Sequence, residues 1–99
     1  MKPPEDCANI EDVRKAIDNL DREVLRLLGQ RARYVAAAAR FKTDQKGVRA
    51  PERQKAMLAR RRGWAEEEDL DPNFVEELYG RIVSHFVARE LERWQEGPA

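Results

Sequence analysis

In RARYVAAAARFK, residues 31–42, two cations, Arg31 and Lys42, bracket a run that otherwise reads as helix core. Arg31 falls in a heptad seam of Ile10, Val13, Ile17, Leu20, Val24, Leu27, Arg31, Tyr34, Ala38 and Phe41, where it is the one charged member. Arg14 and Lys42 each stand beside that seam, in its flanking register. Further on, Leu78, Ile82, Phe86 and Glu90 follow one another at i, i+4 spacing, with Glu90 the only acid in the line. Arg53 and Gln54 lie a turn or less from Met57 and Leu58. Arginine forks match carboxylates, so such cations set against apolar walls suit a compact dianion. A plainer arrangement uses the same residues. Arg31 and Glu90 would form a buried ion pair that fixes packing register, and Arg14 and Lys42 would be cations snorkelling over a wet surface.

Other chemistries lack their parts. No Ser-His-Asp or Cys-His nucleophile and no Gly-rich phosphate loop is apparent. The single histidine, His85, has no ligand pattern around it, so no metal site is expected, and a lone helical His is more often structural than a base. What remains is cofactor-free catalysis, in which the site holds a substrate in a reactive shape and stabilises developing charge.

The elements that must position these groups are helices. The composition is rich in Ala, Leu, Arg and Glu and poor in Gly. A first helix is predicted over about 9–43, opened by Asn9 as N-cap with Asp12 three residues on. It would span roughly 50 Å at ~1.5 Å per residue. A loop over 44–50 follows, marked by Gly47, and Pro51 opens a second helix over about 51–67 with Met57, Leu58, Trp64 and Ala65 inward. Asp71 and Pro72 form a cap and first-turn proline for a third helix over about 72–95. It would bury Phe74, Val75, Leu78, Ile82, Val83, Phe86, Val87 and Leu91. The run RRRGWAEEED, residues 60–69, reads as a solvated helix face.

The whole chain, 1–99, is thus one small all-α domain of three helices. Its long helix outreaches the two that could cover it, which predicts a helical homodimer with the two long helices packed together. Arg14 and Lys42 lie roughly 42 Å apart along one straight helix. In an antiparallel pair, Arg14 of one chain would instead meet Arg31 and Lys42 of the other. Two mostly positive pockets would result, walled by Val35, Ala38, Leu78, Ile82 and Phe86 and closed by the loop 43–50. The 19 basic and 19 acidic residues cancel, so neither nucleic acid nor membrane is an expected partner. One cysteine, Cys7, and an N-terminus without an apolar signal core point to the reducing cytosol.

Several stretches resemble the all-helical chorismate mutase family, and more closely its isochorismate pyruvate lyase branch. They are PEDC at 4–7, VRKAIDNLD at 13–21, YVAAAARFK at 34–42, APER at 50–53, RRGWAEE at 61–67 and ARELERW at 88–94. The similarity covers almost the whole chain. It implies an intertwined dimer with two cofactor-free active sites acting on isochorismate or chorismate, both dicarboxylates. By the resemblance, Arg31 and the partner-contributed Arg14 grip substrate carboxylates. Lys42 contacts the ether oxygen at the edge of a loop, Arg53 adds a polar contact, and Gln54 touches the ring hydroxyl.

Glu90 departs from the commonest pattern, in which a Gln donates a hydrogen bond to the ether oxygen. An ionised carboxylate cannot donate, although some family mutases carry Glu there. Burial opposes its charge, Lys42 favours it, and a bound dianion favours the acid form. Activity is therefore expected to fall as pH rises. Phe86 stands where the lyase branch places an aromatic, and Gln54 where many mutases have Glu. Both lean toward the lyase. The alternatives are a chorismate mutase, a mutase for an amino analogue of chorismate, and a non-catalytic helical dimer. A melting temperature unmoved by a cyclic dicarboxylate would favour the last.

Overall fold

The computed structural model describes residues 2–41 and 51–96. Three helices make up most of them: α1 (Ile10–Ala38), α2 (Pro51–Glu67) and α3 (Pro72–Glu96). Single 3-10 turns, Pro4–Asp6 and Ala39–Phe41, stand before and after α1, and no strand occurs among the described residues. The all-α expectation holds for them. The chain divides into two compact units, Met1–Val35 and Ala36–Ala99.

In the first unit, Asn9 caps α1 by accepting the Asp12 N–H on Oδ1 at 2.9 Å. Asp12 reaches back and accepts the Ala8 N–H at 3.0 Å and the Lys2 ammonium at 3.3 Å. The exchange satisfies amide groups that a helix start leaves without partners. The Ala8 N–H foremost, then Lys2, hold the Asp12 carboxyl below the usual carboxylate range.

None of the 29 residues of α1 is buried. Ile10, Val13, Ile17, Leu20, Val24 and Leu27 are all exposed, although they recur at the spacing of a helical core. The seam is present, and its side chains are exposed among the described residues. At its C-terminal end the helix tightens into the turn Ala39–Phe41, as helix ends often do. There Arg40 donates to the Ala37 carbonyl at 3.3 Å and lies 5.5 Å from the Phe41 ring centre.

In the second unit, α2 ends in a Schellman motif. The Leu70 N–H bonds the Ala65 carbonyl at 2.8 Å and the Asp69 N–H bonds the Glu66 carbonyl at 3.2 Å. This closure needs a left-handed residue, and Asp69 takes it with φ 57°. Asp adopts that region at a steric cost that Gly avoids. Asp69→Gly is expected to stabilise the chain by about 1 kcal/mol and raise Tm by roughly 4 °C. Thermal melts at one fixed protein concentration check this, and an unchanged or lower Tm contradicts it. Asp71 then caps α3, with its Oδ1 accepting the Asn73 N–H at 2.9 Å and Pro72 in the first turn.

The turn from 68 to 71 is too short for any arrangement but antiparallel packing of α2 against α3. Their shared core is thin. Met57, Ala65 and Val75 are the only buried hydrophobic residues described. Trp64, expected inward, is 47% exposed. Phe74 and Leu78, expected buried, are 56% and 41% exposed on the flank of α3 beside Val75.

The run at 60–62 is not a uniform solvated face. Arg61 is half-buried, and its guanidinium carbon lies 4.9 Å from the Trp64 ring centre and 5.1 Å from that of Tyr79 on α3. Arg62 donates to Asn73 at 2.9 Å and Glu76 at 3.0 Å. An exposed pair such as Arg62–Glu76 contributes about 0–1 kcal/mol. A partly desolvated cation over an aromatic face is worth up to about 2 kcal/mol. Two cations therefore tie α2 to α3 where apolar contact is sparse.

Candidate active site

In the first unit, α1 carries both Arg14 and Arg31. Arg14 is exposed and pairs one turn back with Glu11, Nη1 to Oε1 at 3.1 Å. Arg31 is half-buried and engaged in an interaction of its own. Because both sit on one continuous helix, about 25 Å separates them along its axis at ~1.5 Å per residue. One chain therefore cannot bring both to one small ligand. Val35, on the same helix, is half-buried.

In the second unit, the antiparallel pair gathers the other candidates at its open end. Counting away from the turn at equal rise per residue sets the first turn of α2 level with about residues 85–88 of α3. Arg53, exposed, and Gln54, half-buried, come from α2. Phe86, half-buried, and Glu90 come from α3. Glu90 is 6% exposed and is the one buried charged side chain among the described residues. Gln54, Phe86 and Glu90 each have an interaction partner. Ile82 lies half-buried one turn before Phe86. His85 is exposed, its ring edge-on to Phe86 with centres 5.1 Å apart. Ala38, assigned to a pocket wall, is exposed in the single chain. Lys42 and the loop 43–50 lie outside the described residues.

A shallow groove of about 310 Å³ opens at the start of α1, lined by Lys2, Asp12, Lys15, Ala16 and Asn19. It holds none of the candidate residues, and its Asp12 is committed to the helix cap. Sequence pattern passed over Arg61. The signal was its place four residues after Met57 and four before Ala65, on the inward stripe of α2.

The family model for chorismate mutase type II matches residues 13–91. This chain belongs to that family. Its resemblance to an isochorismate pyruvate lyase of Pseudomonas aeruginosa is near full length, at 45% identity over 97% of this chain and 95% of the relative. A chorismate mutase of Methanocaldococcus jannaschii is 27% identical over 88% of this chain and 89% of its own length. A T-protein of Haemophilus influenzae is 35% identical over 82% of this chain, which spans only 22% of that protein. The matched span includes Arg14, Arg31, Arg53, Gln54, Phe86 and Glu90. The candidate residues thus lie within the family domain rather than in an appendage. The all-helical architecture of the described residues accords with that membership.

Proposed function

We propose that this chain is an isochorismate pyruvate lyase, converting isochorismate to salicylate and pyruvate without a cofactor. The observation that carries the reading is the near full-length similarity to a lyase of that name. Phe86 and Gln54 at the open end of the α2–α3 pair support it, since both lean away from a dedicated mutase. In the reaction the ether C–O bond to the ring breaks while a ring hydrogen moves to the methylene carbon of the pyruvyl group. Nothing is gained from solvent and nothing is lost to it. Catalysis then consists of holding the side chain folded over the ring and placing positive charge and a hydrogen-bond donor at the ether oxygen.

In this reading Arg31 and Arg14 hold the two carboxylates, and Lys42 and Glu90 meet the ether oxygen. Arg53 and Gln54 orient the ring, against a wall of Val35, Ala38, Ile82 and Phe86. The enzyme works in the cytosol as a homodimer in which Arg14 serves the partner's site. Two features support the dimer: the separation of Arg14 from Arg31 on α1, and the uncovered seam of that helix. Burying the exposed half of six seam side chains on each of two chains is worth roughly 9–18 kcal/mol. Association costs about 4–15 kcal/mol.

Purified protein incubated separately with isochorismate and chorismate tests the activity. Salicylate and pyruvate in equal amounts from isochorismate are expected, with at most slow prephenate formation from chorismate. Prephenate without salicylate would make the chain a chorismate mutase. That second reading is favoured by the archaeal mutase relative and by the acid at position 90.

A further inference from the structure

We infer that Arg61 is a positioning residue: lying across the rings of Trp64 and Tyr79, it sets the height at which α2 meets α3 and so aligns Arg53 and Gln54 with Phe86. The inference rests on the activity proposed above. The fully buried apolar side chains described on these helices are Met57, Ala65 and Val75. Ala65 is small and Met57 is flexible, so neither opposes sliding strongly. A slip of one residue moves α2 by about 1.5 Å along α3.

Directional contacts are what such a slip breaks. Arg61 meets one ring on its own helix at 4.9 Å and one on α3 at 5.1 Å, and its Nη1 also donates to the Met57 carbonyl at 3.4 Å. The guanidinium is thereby held from below by its own helix and from across by Tyr79. Arg62 adds contacts to Asn73 and Glu76, but from a more exposed position. Arg53 and Gln54 lie about two turns up α2 from Arg61, roughly 10–12 Å along the axis. They are too far for direct contact, yet on the same rigid rod. Misplacing a binding group by about 1 Å can cost on the order of 100-fold in rate.

The test is a double-mutant cycle in the full-length protein, assayed at a temperature where circular dichroism shows each variant fully folded. Arg61→Met is expected to lower kcat/KM about 10- to 100-fold. Arg61→Lys should recover part of the loss, since an ammonium keeps the attraction to the rings without the planar stack. Combined with Arg53→Ala and Gln54→Ala together, Arg61→Met should cost little more than those two changes alone, because the groups it positions are already gone. Sites so far apart otherwise add. Additive effects, or an Arg61→Met enzyme with parental kcat/KM, would overturn the inference. If the parent turns over neither isochorismate nor chorismate, the functional reading has failed instead. In that event Arg61 is judged by the Trp64 environment. In a Trp94→Phe background, fluorescence quenching of Trp64 unchanged by Arg61→Met would overturn the clasp itself.

Discussion

Glu90→Leu is expected to lower kcat/KM about 100- to 1,000-fold, while Glu90→Gln, which keeps a hydrogen-bond donor, retains activity. The direction follows from hydrogen-bond inventory. A carboxylic acid donates one O–H, a carboxylate donates nothing, and an amide donates at every pH. If the group at position 90 must donate to the ether oxygen, an amide there serves and an apolar side chain of similar size does not. Burial makes the effect large. Glu90 is 6% exposed, so water cannot readily stand in for the lost donor. An ionised acid there would also face a substrate of its own sign. Steady-state kinetics of the parent and both variants at one pH decides the matter. A Leu variant with parental kcat/KM, or a Gln variant as impaired as the Leu variant, sinks the assignment of Glu90 as donor.

Mixing two inactive variants should restore activity. Arg14→Ala and Arg31→Ala each remove a carboxylate anchor, a loss of about 2–5 kcal/mol for a buried charged contact. That corresponds to a drop on the order of 30- to several-thousand-fold in kcat/KM. If Arg14 serves the partner's site, a heterodimer of the two variants has one site with both arginines and one with neither. Random exchange from an equal mixture makes half the dimers heterodimers, so about a quarter of the parental activity should return. A site built within one chain would recover nothing, because every chain lacks one of its arginines. Recovery near zero after verified subunit exchange would end the shared-site proposal. The contrast is large because the separation along α1 leaves no intermediate arrangement.

Much of the local structure was legible from residue order. Asn9 and Asp12 announce the start of α1, and the structure pairs them as a reciprocal cap. Asp71 followed by Pro72 announces α3 in the same way. Such signals are readable because a cap acts within four residues of itself. The placement of Arg14 and Arg31 on one helix was equally legible, since helix geometry converts residue number into distance.

Burial was less legible. Pattern put Trp64, Phe74 and Leu78 inward, but each is more than two-fifths exposed in this chain. Pattern also put Arg61 outward, where it is half-buried between two rings. Periodicity reports which side chains share a face. It does not report what covers that face.

The order of residues by itself determined the three helices, their caps and the spacing of the cations, because those depend on neighbours one or two turns away. Tertiary structure alone decided that Arg61 lies against rings of both α2 and α3 and that Trp64, Phe74 and Leu78 stay exposed. Those outcomes depend on which surfaces meet, and a guanidinium or a carboxyl enters a protein interior only when distant segments supply its partners.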